Sequence, residues 1–314
     1  MKTLPEWLRW QEQQHPRAID LGLARVAQVW QALGAPRLPR TVTVAGTNGK
    51  GTAVYALDAL ARAGGWSVGR YTSPHLHDYR ERVVMDGMKV DEERLCLAFA
   101  RIAEAAGSQS LTFFEYGTLA ALLIFAESQL DLVVLEVGLG GRLDATNLVD
   151  ADIAILCSIA RDHTDWLGDT LEAIAGEKAG IARRGRLALV AAPSSAALYQ
   201  PHLDRIGAIT RVAGNDFPAE FPHGATVLAQ ESLAVAWEAW QQLGPHTTAV
   251  APEVLANLRI PGRLERRAAP WGEYLLDVAH NPAAARRLRD VVRSWPAWPT
   301  LLVFGVQADK DIAG

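Results

Sequence analysis

Strand-like and helix-like stretches alternate along the 314 residues, which predicts an α/β fold: a mostly parallel sheet with helices on both faces, followed by a smaller αβ block. Two local features support this. A β-branched run at 41–45 passes through a glycine-rich turn into a helical pattern, and a Pro-Gly segment carrying four arginines at 258–270 divides the chain.

In chain order, strands are expected at 41–45, 66–71, 131–137, 152–159, 187–191, 274–278 and 300–306, where short apolar, β-branched runs end at turn residues. Helices are expected at 52–63, 114–128, 171–182 and 232–243, with another entered at Ala283 after the turn HNP. No repeat of 20–50 residues and no low-complexity tract is visible.

Composition narrows the class. Hydrophobic residues make up 49% and charged residues 21%, with 26 Gly and 16 Pro, which excludes disorder, collagen-like repetition and small disulfide scaffolds. At roughly 150 residues per domain the length suggests about two domains. No apolar run reaches about 18 residues. The N-terminal stretch is interrupted by Glu6, Arg9 and Glu12, unlike a signal peptide, so a cytoplasmic location is the default expectation. Cys96 and Cys157 lie in apolar surroundings without CxxC spacing and read as buried thiols. With a net charge of −4 there is no global attraction to nucleic acid or anionic membrane, so an anionic ligand needs a local site.

Residues 41–52, TVTVAGTNGKGT, offer such a site. Glycines let consecutive N–H groups converge on phosphate oxygens, a helix N-terminus adds positive potential, and Lys50 neutralises charge. The spacing departs from the usual phosphate loop because Gly51 separates Lys50 from Thr52. The alternative is a glycine turn that serves only the chain path. The run DLVVLE ends in Glu136, at a strand end where open α/β sheets place ligand residues; a carboxylate there suits Mg²⁺ beside a nucleotide. VGLGGRLDATN reads as a second ligand loop. His163 also follows a strand end and is either an ordinary surface histidine or a metal or phosphate contact. Lys178 falls on the apolar stripe of Leu171 and Ile174, so it either snorkels outward or is held in a site with an altered charge state. NKxD, HRD and DFG motifs are absent, which argues against GTPases and protein kinases; a nucleotide-binding module without catalysis stays open.

The ordered set AGTNGKGT (45–52), YTSPHL (71–76), LTFFEYGTLAAL (111–122), LEVGLGGRLDATN (135–147), DHTDWLG (162–168), GEKAGI (176–181), PGR (261–263) and LDVAHNP (276–282) resembles the folylpolyglutamate synthase group of the Mur-type ligases, across nearly the whole chain. With IDLGLARV (19–26) it is most similar to the bifunctional dihydrofolate synthase/folylpolyglutamate synthase branch.

The resemblance implies a P-loop ligase domain at 1–257, a linker at 258–270 and the start of a Rossmann-like C-terminal domain at 271–314. It implies an ADP-forming amide ligase that joins L-glutamate to dihydropteroate and to folates through an acyl phosphate, with ATP as co-substrate, two Mg²⁺ ions, and a monomeric state without nucleic-acid or membrane partners. A synthase restricted to folates, or a non-catalytic ATP-binding module of the same fold, is the alternative. By the same resemblance Thr47, Asn48, Gly49, Lys50, Gly51, Thr52, Ser232, Arg263 and Asp277 contact ATP. Ser73, Glu136 and His163 hold metal. Lys178, carried in the family as N6-carboxylysine, is catalytic along with Lys50 and His163. Pro16, Arg17, Ala18, Ile19, Thr112, Phe113, Phe114, Glu115, Leu143, Asp144 and Ala145 form the pterin site, although Phe113 and Phe114, read as adjacent aromatics, also suit a core. Two departures from the family pattern stand out: Ser232 where an Asn is usual, and Pro16 and Ala18 where polar residues are expected. Only 37 residues follow Asp277, fewer than the roughly 50 of a small domain, so the second domain is expected to be incomplete and activity to need a longer chain.

Overall fold

The computed structural model describes residues 2–221, 228–244, 251–295 and 301–306. Two helices, α1 (Leu4–Glu12) and α2 (Ala24–Ala32), precede the central strand β1 (Arg40–Ala45). Helix α3 (Lys50–Ala63) follows, then β2 (Val68–Tyr71) and the short hairpin β3 (Val83–Met85) and β4 (Met88–Lys89). Helices α4 (Glu92–Ala106) and α5 (Phe113–Ala126) lead to β5 (Leu132–Glu136), and a loop leads to β6 (Ile153–Leu156). The order continues α6 (Thr164–Leu167), α7 (Leu171–Ala179), β7 (Leu187–Val190), α8 (Pro193–Ile206), β8 (Ile209–Val212), α9 (Gln230–Gln242) and α10 (Ala251–Ala256). A hairpin of β9 (Glu265–Ala269) and β10 (Gly272–Leu276) and helix α11 (Pro282–Arg293) close the described chain.

Eight strands form one sheet in the order β4-β3-β2-β5-β1-β6-β7-β8. Across the six strands β2-β5-β1-β6-β7-β8 every pairing is parallel, and at the edge β3 pairs antiparallel with both β2 and β4. Parallel strands need both faces covered, and the alternation of side chains shows how. Val42, Val44, Val134, Ile155 and Leu189 face one layer, packed with Leu57 and Leu60 of α3 and Leu233 and Trp240 of α9. The opposite residues divide in two. Val133 and Leu135 pack with α1, α2, α4 and α5, whereas Ala45, Ala154, Leu156 and Val190 pack with α7 and α8. Fully burying each such aliphatic side chain contributes roughly 1.5–3 kcal/mol, so the sheet centre is fixed by these three clusters.

The expected strands at 41–45, 66–71, 131–137, 152–159 and 187–191 all form, the first longer by one residue and the others trimmed by up to three residues at an end. Two expectations are corrected. The strand expected at 300–306 is not one: Leu301–Val306 forms no strand, with Leu301, Leu302, Val303 and Phe304 exposed, and Thr300 lies outside the described residues. An apolar run becomes a strand only where a neighbour pairs with it, and no described strand does. Within the expected linker, Glu265–Ala269 is β9, paired antiparallel with β10, so β10 belongs to a hairpin and not to a parallel sheet. Both cysteines are buried, free thiols, and among the described residues no helix is long and apolar enough to cross a membrane.

Candidate active site

The chain runs from β1 outward to β2 on one side and to β6 on the other, so the carboxyl ends of β5, β1 and β6 frame a crevice at the point where strand order reverses. A cavity of about 590 Å³ opens there.

The loop 46–49 forms its floor. Gly49, at φ 93°, caps α3, and the first intrahelical bond runs from Ala53 N to Gly49 O, 3.0 Å. The amides of Lys50, Gly51 and Thr52 therefore precede the helix ladder and are donors for an anion. Glycine is required at two places. A Cβ on Gly49 would lie 2.5 Å from Ser232 Oγ, and one on Gly46 would lie 2.5 Å from Cys157 Cβ. Thr47 ties the loop to the end of β6: its amide donates to Ser158 O at 2.8 Å, and its Oγ donates to Ala160 O at 3.1 Å. Burial pushes the Cys157 thiol up to about 12, so this residue acts as packing behind the loop.

Lys50 curls over the turn, donating to Gly46 O at 2.9 Å. Lys178, 4% exposed, reaches the same carbonyl from α7 at 3.2 Å. It does not snorkel to solvent. Burial, then the Lys50 charge, lowers its pKa to about 7. Glu136, at the end of β5, is buried and accepts from Ser73 N at 3.2 Å. Burial raises its pKa, against the opposing pull of Lys50 and Arg263. His163, in a left-handed conformation at φ 52°, caps α6 and lies 3.8 Å from Asp162 Oδ1.

The C-terminal segment closes the far wall with Arg263 and Asp277. The Asp277 carboxylate accepts from Leu264 N and Ala279 N, both at 2.8 Å, which fixes it in the turn after β10. Thr47, Asn48, Gly49, Lys50, Thr52, Ser73, Glu136, His163, Lys178, Ser232, Arg263 and Asp277 all line this one cavity. Gly51 sits against it: a Cβ there would lie 3.6 Å from Glu136 Oε1.

The eleven residues assigned to a pterin lie outside it and are held by other contacts. Thr112 and Glu115 cap α5 reciprocally, and Glu115 also accepts from Arg25 Nε at 2.7 Å. Phe113 meets Tyr79 edge-on, and Phe114 lies against Tyr71 and over Gly138. Asp144 is buried and accepts from Gly138 N and Leu139 N at 3.1 and 2.9 Å; those two residues line the cavity. Ala145 is buried, Leu143 and Ile19 are half-buried, and Pro16, Arg17 and Ala18 are exposed.

Sequence reasoning missed Asn281 and Asp162. Asn281 exchanges hydrogen bonds with Asn48 across 233 positions, at 3.0 and 3.2 Å, donates to Asp162 Oδ2 at 3.3 Å, and caps α11. The signal available was an Asn directly before Pro at a helix start.

Among the described residues, no three His, Cys, Asp or Glu side chains gather into a metal cage. Mg²⁺ does not need one, since beside a nucleotide it is held by one or two carboxylates, phosphate oxygens and water. The buried Glu136 carboxylate, with Ser73 and His163 lining the same cavity, fits that donor set.

Residues 44–192 match the Mur ligase middle domain family. The dihydrofolate synthase/folylpolyglutamate synthase of Escherichia coli (strain K12) is 42% identical over 329 aligned positions, covering 99% of this chain and 78% of that protein. Among solved structures, E. coli FolC in complex with DHPP and ADP matches with a TM-score of 0.90 at 40% identity, over 95% of this chain and 76% of that one. A bifunctional folylpolyglutamate synthase/dihydrofolate synthase with Mn, AMPPNP and L-glutamate bound matches with a TM-score of 0.84 at 39% identity, over 94% and 75%. The chain belongs to the dihydrofolate synthase/folylpolyglutamate synthase family.

Proposed function

We propose that this chain carries the machinery of an ATP-dependent, ADP-forming ligase that joins the amine of L-glutamate to the carboxylate of dihydropteroate and of folates. The observation that carries the reading is the convergence of the phosphate loop, Lys50, Glu136 and Lys178 on one cavity in a chain related to synthases of that name.

A carboxylate repels nucleophiles and has no good leaving group. Attack of its oxygen on the γ-phosphorus releases ADP and gives an acyl phosphate. The glutamate amine then attacks the acyl carbon, phosphate departs, and the amine proton is lost. Lys50, Arg263 and the α3 amides stabilise negative charge on the transferring group, and positioning supplies much of the remaining acceleration. Glu136, Ser73 and His163 would hold Mg²⁺, which supplies charge neutralisation on phosphate oxygens.

Lys178 fits the N6-carboxylated state. As an ammonium it shares one carbonyl with the Lys50 ammonium in a desolvated site. A neutral amine condenses with CO₂ to a carbamate and releases a proton, and the resulting anion attracts Lys50. The loop 138–144, anchored by Asp144, leads from this cavity to Phe114, which lies over Gly138, and this supports an acceptor site on that side.

Incubation of the full-length protein with ATP, Mg²⁺, glutamate and either dihydropteroate or tetrahydrofolate tests the reading. ADP release dependent on each acceptor supports it, turnover with tetrahydrofolate alone reduces it to the folate-only synthase, and no acceptor-dependent ADP with either one overturns it.

A further inference from the structure

The last turn of α7, which carries Lys178, is fastened to an unusual degree. The final carbonyls of a helix have no intrahelical partner and normally turn to water or to a glycine cap. Here Glu177 O accepts from Arg142 N at 2.7 Å, and Gly180 O accepts from Asn147 Nδ2 at 3.1 Å. Arg183 Nη1 donates to the carbonyls of Gly180, Ile181 and Ala182 at 3.1–3.2 Å. Asn147 joins these parts. Its amide also donates to Arg142 O at 2.9 Å and accepts from Arg183 Nη2 at 2.9 Å, with the residue 7% exposed. The backbones are in contact as well: a Cβ on Gly141 would lie 2.8 Å from Glu177 O, and one on Gly180 would lie 2.8 Å from Arg142 Cα.

We propose that Asn147 is a positioning residue for Lys178: its amide, held by Arg183, locks the end of α7 to the 138–144 loop so that the lysine stays on the phosphate-loop carbonyl. The proposal rests on the reading of Lys178 as a working residue of the site. It makes one side chain the join between the loop facing the acceptor side and the helix facing the nucleotide. Loss of the amide donors frees Arg142 O and leaves Gly180 O to Arg183 alone, which unfastens the loop from the end of α7 and lets the Lys178 turn drift, without touching the loop that meets ATP.

The test uses Asn147→Ala and the isosteric Asn147→Asp, which keeps the acceptor toward Arg183 but loses both donors. Arg183→Gln serves if either fails to fold. Two readouts are needed. In steady-state assays kcat should fall at least tenfold with the KM for ATP changed less than twofold. In bicarbonate-free buffer, amine-reactive labelling followed by peptide mass spectrometry should show Lys178 labelled at least fivefold faster relative to Lys50. A general loosening would accelerate both lysines and raise the KM for ATP. Unchanged Lys178 labelling in folded variants overturns the positioning role, whatever the activity. Faster labelling with unchanged kcat overturns instead the reading of Lys178 as a working residue.

Discussion

Lys178 occupies a position that favours a neutral amine, so Lys178→Met separates the stability the residue forfeits from the chemistry it performs. Burial and the nearby Lys50 charge bring its pKa from 10.5 to about 7. In the unfolded chain the amine stays protonated to about 10.4. Below pH 7 both states carry the proton, and the native state bears the whole penalty of a buried ammonium. At about 1.4 kcal/mol per pH unit, this penalty is on the order of 5 kcal/mol. Between pH 7 and 10.5 the unfolded state binds more protons than the native state, so native stability rises with pH. Methionine removes the penalty at every pH while losing one hydrogen bond, worth about 1 kcal/mol. In carbonate-free buffer the variant should therefore be more stable by several kcal/mol at pH 6. The gap should narrow by about 2–3 kcal/mol by pH 9, and ligation should be lost. Urea unfolding at each pH, with ADP release as the activity assay, measures both. Parallel stability curves from pH 6 to 9, or a methionine variant that is the less stable chain at pH 6, would refute the argument, because the amine would then not be desolvated in the native fold.

Other perturbations read other parts of the site. Gly49→Ala forces a side chain into a left-handed conformation and against Ser232 Oγ, so the KM for ATP should rise at least tenfold with only about 1–2 kcal/mol lost in denaturant unfolding. Glu136→Gln keeps the shape but removes the buried anion; kcat should fall by about 10²–10³, and a Mg²⁺ titration should show a weaker requirement. Asp58→Ala leaves Arg70, which pairs with it at 2.7 Å and stacks on Tyr55, as an unpaired buried cation; urea unfolding should show a loss of about 3–5 kcal/mol.

The parts of the fold that were legible in the sequence are those governed by local periodicity under full burial. Strands β1, β5, β6 and β7 read as apolar runs because helices cover both of their faces, and α7 reads by the stripe of Leu171 and Ile174. The run at 301–306 has the same local character and forms no strand, since pairing depends on a neighbour that periodicity does not report. Helices α4 and α8 and strand β8, not placed from the sequence, carry mixed polar and apolar residues whose roles depend on which layer they meet.

The site divides in the same way. Glu136 and His163 could be placed because strand ends in an open parallel sheet converge on one crevice, so position along the strand is already information about the site. Lys178 could be flagged because it breaks an apolar stripe, and the structure resolves the alternative in favour of a buried amine on Gly46 O. Asn281 and Asn147 broke no pattern. Each is an ordinary polar residue at a turn whose partners lie far along the chain, 233 positions away for Asn48 and 33 for Gly180. A buried amide must find donors and acceptors wherever the fold brings them, so its role is set by the sheet that juxtaposes loops and not by its own segment. Residues of this kind hold the reactive groups in register, and substitution of Asn147 should show first in the behaviour of Lys178 and only later in the stability of the fold.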